Sequence, residues 1–305
     1  MNEGDSDVIH YPPNRVLRLN NLVCPYCGGA LNESNRTKEH VIGRRFVPRG
    51  KLDAQWNLIV YACAICNNKK SDLEDDISAI SMQPDAHGRF GADDSELVAE
   101  AHRKAEKSAS RKTRKRVKDS GGELKLSTQI MQGATADFSF SGPPQLEDSR
   151  AFELARMQLQ AFFFMITYQN ETQRGWWWPG DFLPFIHTRK SDWGNSLWKG
   201  FTSATKSWDV RVHALSADEF FCCSVKRHPN AECWSWAIQW NHQHRLGGFF
   251  GNREAAQVLV DDIIPDELKH IQLGPNRYIR FREDVPLSEE DDTLFAPAIE
   301  VYRAA

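Results

Sequence analysis

Two Cys-x-x-Cys pairs, Cys24-Pro25-Tyr26-Cys27 and Cys63-Ala64-Ile65-Cys66, fall within the first quarter of the chain. Each pair lets two thiolates point at one ion from a tight turn. Two such turns make the closed tetrahedral shell of a structural Zn²⁺ site with Cys24, Cys27, Cys63 and Cys66 as ligands. Pro25 and the following Gly28-Gly29 suit the sharp first turn, since glycine adopts positive φ without steric cost. The competing reading is two disulfides of a secreted domain. No signal peptide precedes the pairs, so a reducing, cytoplasmic setting is the expectation.

Between and after the pairs stand Thr37-Lys38-Glu39-His40, Trp56-Asn57-Leu58 and Asn67-Asn68-Lys69-Lys70. Glu39-His40, Asn57 and Cys63-x-x-Cys66-Asn67-x-x-Lys70 together resemble the HNH (ββα-metal) endonuclease family, in its H-N-N variant, over residues 20–80. The resemblance implies a metal-dependent phosphodiester hydrolase. His40 would be the general base, since an imidazole titrates near neutrality. Asn57 would fix the ring through its side chain or its backbone carbonyl. Glu39 and Asn67 would offer hard oxygen ligands to one catalytic Mg²⁺ or Mn²⁺, acting as a Lewis acid at the scissile phosphate. Lys70 shares a helix face with Asn67 and would touch a phosphate oxygen. The family often has Asp where Glu39 stands and Pro where Gly43 stands. Adjacent strand residues point to opposite faces, so Glu39 and His40 converge on one phosphate only where the backbone is irregular.

The charge is unevenly spread along the 305 residues. Residues 1–118 carry 20 Lys/Arg against 16 Asp/Glu, and the remainder 18 against 25. A basic front half fits a polyanion, DNA above all, and an acidic back half does not. Arg44, Arg45 and Arg49 cluster after the proposed base, Lys69 and Lys70 follow the second knuckle, and Arg111, Lys112, Arg114, Lys115 and Arg116 form a basic run. Groups of this kind make sequence-blind phosphate contacts, although a charge run is also how a solvated face reads. Arg15 and Arg18 fit either a phosphate contact or a solvated face.

The expected fold class is α+β. It comprises a zinc-stabilised ββα-metal domain over residues 1–94, a basic helical linker and connector over 95–145, and a C-terminal α+β domain with an antiparallel sheet over 146–305. Helices are expected from Asn67 to Ile80, with Asn67 as a cap and acidic first turns, then over 95–118, from Ser149 to Gln169, from Ser191 to Lys206 and from Glu254 to Asp262. Strands are expected at Leu124–Ile130, Ala136–Phe140, Val210–Ala214, Glu219–Lys226, Glu232–Trp240 and Arg277–Phe281, and a turn at Phe249–Gly251. Trp176-Trp177-Trp178 suits core or partner packing better than base stacking. His242 and His244 would share a face if their strand continues. Cys222, Cys223 and Cys233 read as buried thiols. The longest apolar run is too short to span a bilayer, so no membrane role is expected.

The back half names no ligand. By analogy with restriction and phage-defence effectors it would recognise a target, a signal molecule or a partner protein. A homodimer is one way for single-site chains to cut both strands. A non-catalytic zinc module that binds nucleic acid and an RNA-directed nuclease stay open beside the DNA endonuclease.

Overall fold

Alternation builds the front sheet. The computed structural model describes residues 16–131, 134–178, 180–263, 269–274, 277–281 and 283–296. Strand β1 is Val16–Arg18, β2 is Arg36–His40 and β3 is Asn57–Cys63, in the order β1-β3-β2. β2 runs antiparallel to β3 and β1 parallel to it. Leu58, Val60 and Ala62 of β3 are buried on one face, which receives helix α1, Ala64–Ser81. Residues 1–15, with Arg15, lie outside the described residues.

α1 begins a turn earlier than its sequence suggests. Cys63, not Asn67, is the N-cap, and the first turn holds no acidic residue. The zinc-type knuckle is thus itself the helix start. Helix α2, Ser95–Lys107, is capped by the Asp94 carboxylate, which accepts from the backbone N–H groups of Glu96 and Leu97. It ends at Lys107, so the basic run beyond is not helical, contrary to the expected basic helical linker. Residues 109–116 double back as a turn, with Arg114 at φ +59° and Ser110 N–H donating to Lys115 O at 2.9 Å. Five like charges in six residues repel one another on a helix. In the turn, Arg111 instead reaches the acidic flank of α1.

β4, Gly121–Met131, and β5, Ala134–Pro144, form the expected antiparallel hairpin. Helix α3, Asp148–Ile166, is buried along most of its length. After it come β6, Asp181–Arg189, α4, Ser196–Ala204, β7, Asp209–Ser216, β8, Phe221–Arg227, β9, Cys233–Trp240, β10, His244–Gly251, α5, Arg253–Asp261, β11, Lys269–Gly274, and β12, Arg277–Phe281. The five strands β6-β10-β9-β8-β7 make one antiparallel sheet. Phe249–Gly251, expected as a turn, belongs to β10.

Trp236, Ile238, Trp240, Leu246 and Phe250 face α3, while Ala237 and Phe249 face α4 and α5 with Trp198, Phe201 and Ala256. This is the period of two that a sheet covered on both faces requires. Gly247 and Gly248 allow the close approach: a Cβ on the first would sit 2.8 Å from the Trp198 ring, and one on the second 2.3 Å from Leu183 O. One buried cluster continues from the front sheet through α3 to the larger sheet. Trp56 stacks on Phe162 at 5.8 Å, and Phe46 meets Trp240 edge-on at 5.4 Å. Cys222, Cys223 and Cys233 are buried thiols, as expected. Among the described residues no helix is long and apolar enough to cross a membrane.

Candidate functional site

The four cysteines of the two knuckles converge. Their sulfurs all lie within 4.8 Å of one another, with Cys27 Sγ 3.7 Å from Cys63 Sγ. Ligands about 2.3 Å from a tetrahedral zinc are separated by roughly 3.8 Å, so the donor set and spacing fit a structural Zn²⁺. The first knuckle is closed by Gly28 N–H donating to Cys24 O and Cys24 N–H donating to Gly29 O, both at 2.8 Å. Gly28 sits at φ +69°, which an L side chain resists, and a Cβ there would also strike the Trp177 ring at 2.6 Å. Trp177 donates its indole N–H to Pro25 O at 2.6 Å, so the back half clasps the knuckle. Burial pushes the Cys24 thiol up to about 11. A zinc ion binding there must therefore displace a proton.

β2 separates the expected acid and base. Glu39 is buried against α1, while Arg36 and Lys38 are exposed and His40 is half-buried on the opposite face. The carboxylate of Glu39 accepts from the Lys70 ammonium at 2.7 Å. That ammonium also meets Glu74 Oε1 at 2.5 Å and the His40 carbonyl at 3.1 Å. Lys70, expected on a phosphate, is instead 1% exposed in its side chain and held by two carboxylates.

The ring Nε2 of His40 is closed off from solvent and has no hydrogen-bond partner among the described residues. Burial, with Arg44, Lys38, Lys70 and Arg18 adding to it, lowers its pKa to about 4. The imidazole is therefore neutral at pH 7. Arg18 pairs with Ile59 across β1 and β3, and Ile59 pairs with His40, so the three form one row across the sheet. Arg18, Arg36, Lys38 and Arg44 are all exposed around this row.

Asn57 holds the loop after His40 and not the imidazole. Its Nδ2 donates to Ile42 O at 2.9 Å, and its Oδ1 accepts from Ile42 N–H at 3.2 Å. Lys104, half-buried and lowered to about 8 by desolvation, donates to Arg45 O in the same loop at 2.7 Å and to Ser78 Oγ of α1 at 2.8 Å. Asn57→Ala would leave both buried Ile42 groups unpaired. The expected cost is roughly 2–4 kcal/mol, read as a lower urea midpoint of the zinc-loaded chain. An unchanged midpoint would mean that the loop is held by its other anchors alone.

Asn67 lies one helical turn before Lys70 and donates through Nδ2 to Thr37 Oγ1 at 2.9 Å. Thr37 shares the helix-facing side of β2 with Glu39. The nitrogen being engaged, the amide oxygen is the atom Asn67 can offer a cation.

The basic residues separate into two groups. Arg44 and Arg45 are exposed beside His40, and Arg49 is exposed with its backbone N–H on the Glu100 carboxylate at 3.0 Å. Lys69 bridges to Glu153 at 2.5 Å. Arg111 is bound within the chain, to Asp72 at 2.8 Å. Arg116 donates to Lys107 O. Lys112, Arg114 and Lys115 are exposed on the turn. Trp176 is exposed, and Trp178 packs against Phe163 and Phe250. His242 and His244 do not share a site: His242 sits on the Phe220 ring, whereas His244 Nδ1 is 3.0 Å from His187 Nε2.

Sequence reasoning missed Glu74, Lys104 and Thr37. Glu74 had a signal, since it stands four residues after Lys70 on one helix face. Lys104 and Thr37 had none, because their partners come from remote backbone. No family model, no curated protein and no solved structure matches the chain.

Proposed function

We propose that the chain is an HNH-type, metal-dependent endonuclease acting on DNA, with His40 as general base. One observation carries the reading. The end of β2 combines a neutral, unpartnered imidazole ringed by exposed cations with a neighbouring carboxylate that already holds a positive charge. The β2-β3-α1 succession and the four-thiolate cluster at its base are what a ββα-metal unit needs.

β2 is an edge strand and ends at His40, so a phosphate seated at that edge can be approached from both faces. Arg18, Lys38 and Arg44 would orient the phosphodiester by charge. His40 would take the proton of the attacking water. Asn57 and Lys104 hold the loop that fixes the ring's position. Glu39, with the amide oxygen of Asn67, would hold Mg²⁺ or Mn²⁺. Glu39 already holds one cation, the Lys70 ammonium at 2.7 Å. The metal, when bound, supplies Lewis-acid stabilisation of the departing oxygen. Lys112, Arg114 and Lys115 would extend the track along the backbone of the nucleic acid. The larger sheet would recognise a target, a signal or a partner, as in restriction and phage-defence effectors.

A pH profile tests the base. With His40 near 4, kcat/KM for plasmid nicking should stay flat from pH 8 down to 5.5. An imidazole at the ordinary value of about 6.5 would lose roughly tenfold at pH 5.5. Such a limb would remove His40, in this environment, from the role. The closed ion pair at Glu39 favours a second reading, a zinc module that binds nucleic acid without cutting it. Tight binding of DNA with no nicking in Mg²⁺ or Mn²⁺ would select that reading, and cutting of RNA alone would redirect the first.

A further inference from the structure

Outside the candidate site, three titratable groups form one hydrogen-bonded chain. Asp148 opens α3, His187 stands on the edge strand β6 and His244 on its neighbour β10. Asp148 Oδ1 lies 2.7 Å from His187 Nδ1, and His187 Nε2 lies 3.0 Å from His244 Nδ1. The chain leads inward. The Asp148 side chain is 73% exposed and that of His187 11%, while His244 is buried. At the inner end, His244 Nε2 is closed off and has no hydrogen-bond partner among the described residues.

The chemistry of the outer end fixes the protons of the inner one. The hydrogen bond from His187, outweighing burial, holds the Asp148 carboxyl below its usual range, so it is ionised at neutral pH. A carboxylate only accepts, so His187 Nδ1 carries a hydrogen. In neutral His187 the Nε2 is then a bare acceptor, and His244 Nδ1 must donate to it. That leaves His244 Nε2 as a buried lone pair. In protonated His187 the Nε2 donates instead. His244 Nδ1 must then accept, and the His244 hydrogen sits on Nε2. The heavy atoms need not move between the two states.

The charge belongs on His187, which touches Asp148. Burial, with Arg189 and His187 adding to it, holds His244 well below the ordinary histidine range. Arg189 is the register partner of His244 and donates to the carbonyls of Pro84 and Pro144. On the other side of His244, β9 offers Trp240 in register. The remaining charged groups around the chain are Lys112, which acts on Asp148 from the 109–116 turn, and Asp85 and Asp284, which act on Arg189.

We infer that Asp148, His187 and His244 form a tautomeric switch, in which protonation of His187 turns the buried His244 Nε2 from an acceptor into a donor. One proton is taken from solvent. The hydrogen shared by the rings passes from His244 Nδ1 to His187 Nε2, and the added proton rests on His244 Nε2. His187 gains the charge and His244 stays neutral. An acid signal at the sheet's edge thereby reaches its interior without a charge being buried there. A buried N–H without an acceptor is tolerated less well than a bare acceptor, so acid loosens the junction of α3 with the rear sheet. The switch does not rest on the nuclease reading.

The test is a nuclear magnetic resonance titration of the full zinc-loaded chain, labelled with ¹⁵N in its histidines, from pH 8 downward. At pH 8 both rings should carry hydrogen on Nδ1 and none on Nε2, and coupling through the shared hydrogen bond should identify the pair. On acidification both Nε2 atoms should become protonated, and His244 Nδ1 should lose its hydrogen, at one common midpoint. Protection of the amides in the first turns of α3 should fall at least tenfold through that midpoint. Asp148→Asn, a surface change, should lower the midpoint by about one pH unit. His187→Gln should hold His244 in one tautomer across the range. Hydrogen on His244 Nε2 at pH 8 overturns the inference, as do separate midpoints or no change in either ring before unfolding. Constant protection, or a midpoint indifferent to Asp148→Asn, overturns it as well. The wild-type titration decides the matter even where a variant does not fold.

Discussion

Replacing Cys63 by serine is expected to empty the zinc site and unfold the front of the protein. Cys63 does three things at once: it ends β3, caps α1 and faces Cys27 across 3.7 Å. A serine oxygen is a poor substitute for a thiolate on zinc. Structural zinc contributes about 10–16 kcal/mol to the folding of small metal-dependent modules. Typical domains are stable by only about 5–15 kcal/mol. The variant should carry no zinc by elemental analysis, and its melting temperature should fall sharply. Prolonged chelation of the wild type should reproduce both effects. A Cys63→Ser chain with one zinc and an unchanged melt would show that the cluster has no metal-dependent role in folding.

The second large effect is His40→Ala. A general base contributes roughly 10²–10⁴-fold to a rate, so nicking of supercoiled plasmid in Mg²⁺ should fall by that factor. Zinc content and melting temperature should hold, because Nε2 has no hydrogen bond to lose among the described residues. That separation excludes a structural role, and a loss confined to kcat with KM unchanged excludes a phosphate-binding role. A variant that cuts at the wild-type rate would move the base elsewhere. A variant that fails through loss of zinc would make His40 a folding residue.

Local signals carried much of this arrangement, and remote contacts explain the rest. The thiolate spacing was readable because each pair acts within four residues of chain. The β4-β5 hairpin and most of the larger sheet were readable from alternation. β6 was not, because Pro184 interrupts it. The strand tolerates proline because it lies on the sheet's edge, and the register shifts opposite it between Gly247 and Gly248. Those same glycines disguised β10 as a turn, although they are there to admit the Trp198 ring and the neighbouring strand. The basic run looked helical because its like charges carry no record of the carboxylates they will meet. Asp72 and Asp76 lie more than thirty residues away, and they decide the conformation at Arg111.

At the site, residue types were readable but their pairings were not. Glu39 and His40 were recognised as neighbours, and strand alternation correctly warned that they face apart. Nothing local announced that Lys70 would turn inward to both glutamates. Arg245 is a similar case. It is 1% exposed, lies 3.8 Å over the Trp193 ring and pairs with Asp292 at 2.6 Å. The acidic segment near the end of the chain therefore straps the sheet and is not a free tail over residues 283–296.

The shared interior has a consequence for how the halves communicate. Phe46, six residues after His40, packs against Trp240, and its carbonyl accepts from Asn241, which also donates to Ser81 of α1. Trp56, next to Asn57, stacks on Phe162 of α3, and its carbonyl accepts from the Ser216 hydroxyl. A strand that slid in the rear sheet would drag the imidazole loop with it, as one gear turns the next, so the two ends of the molecule share a single mechanical fate.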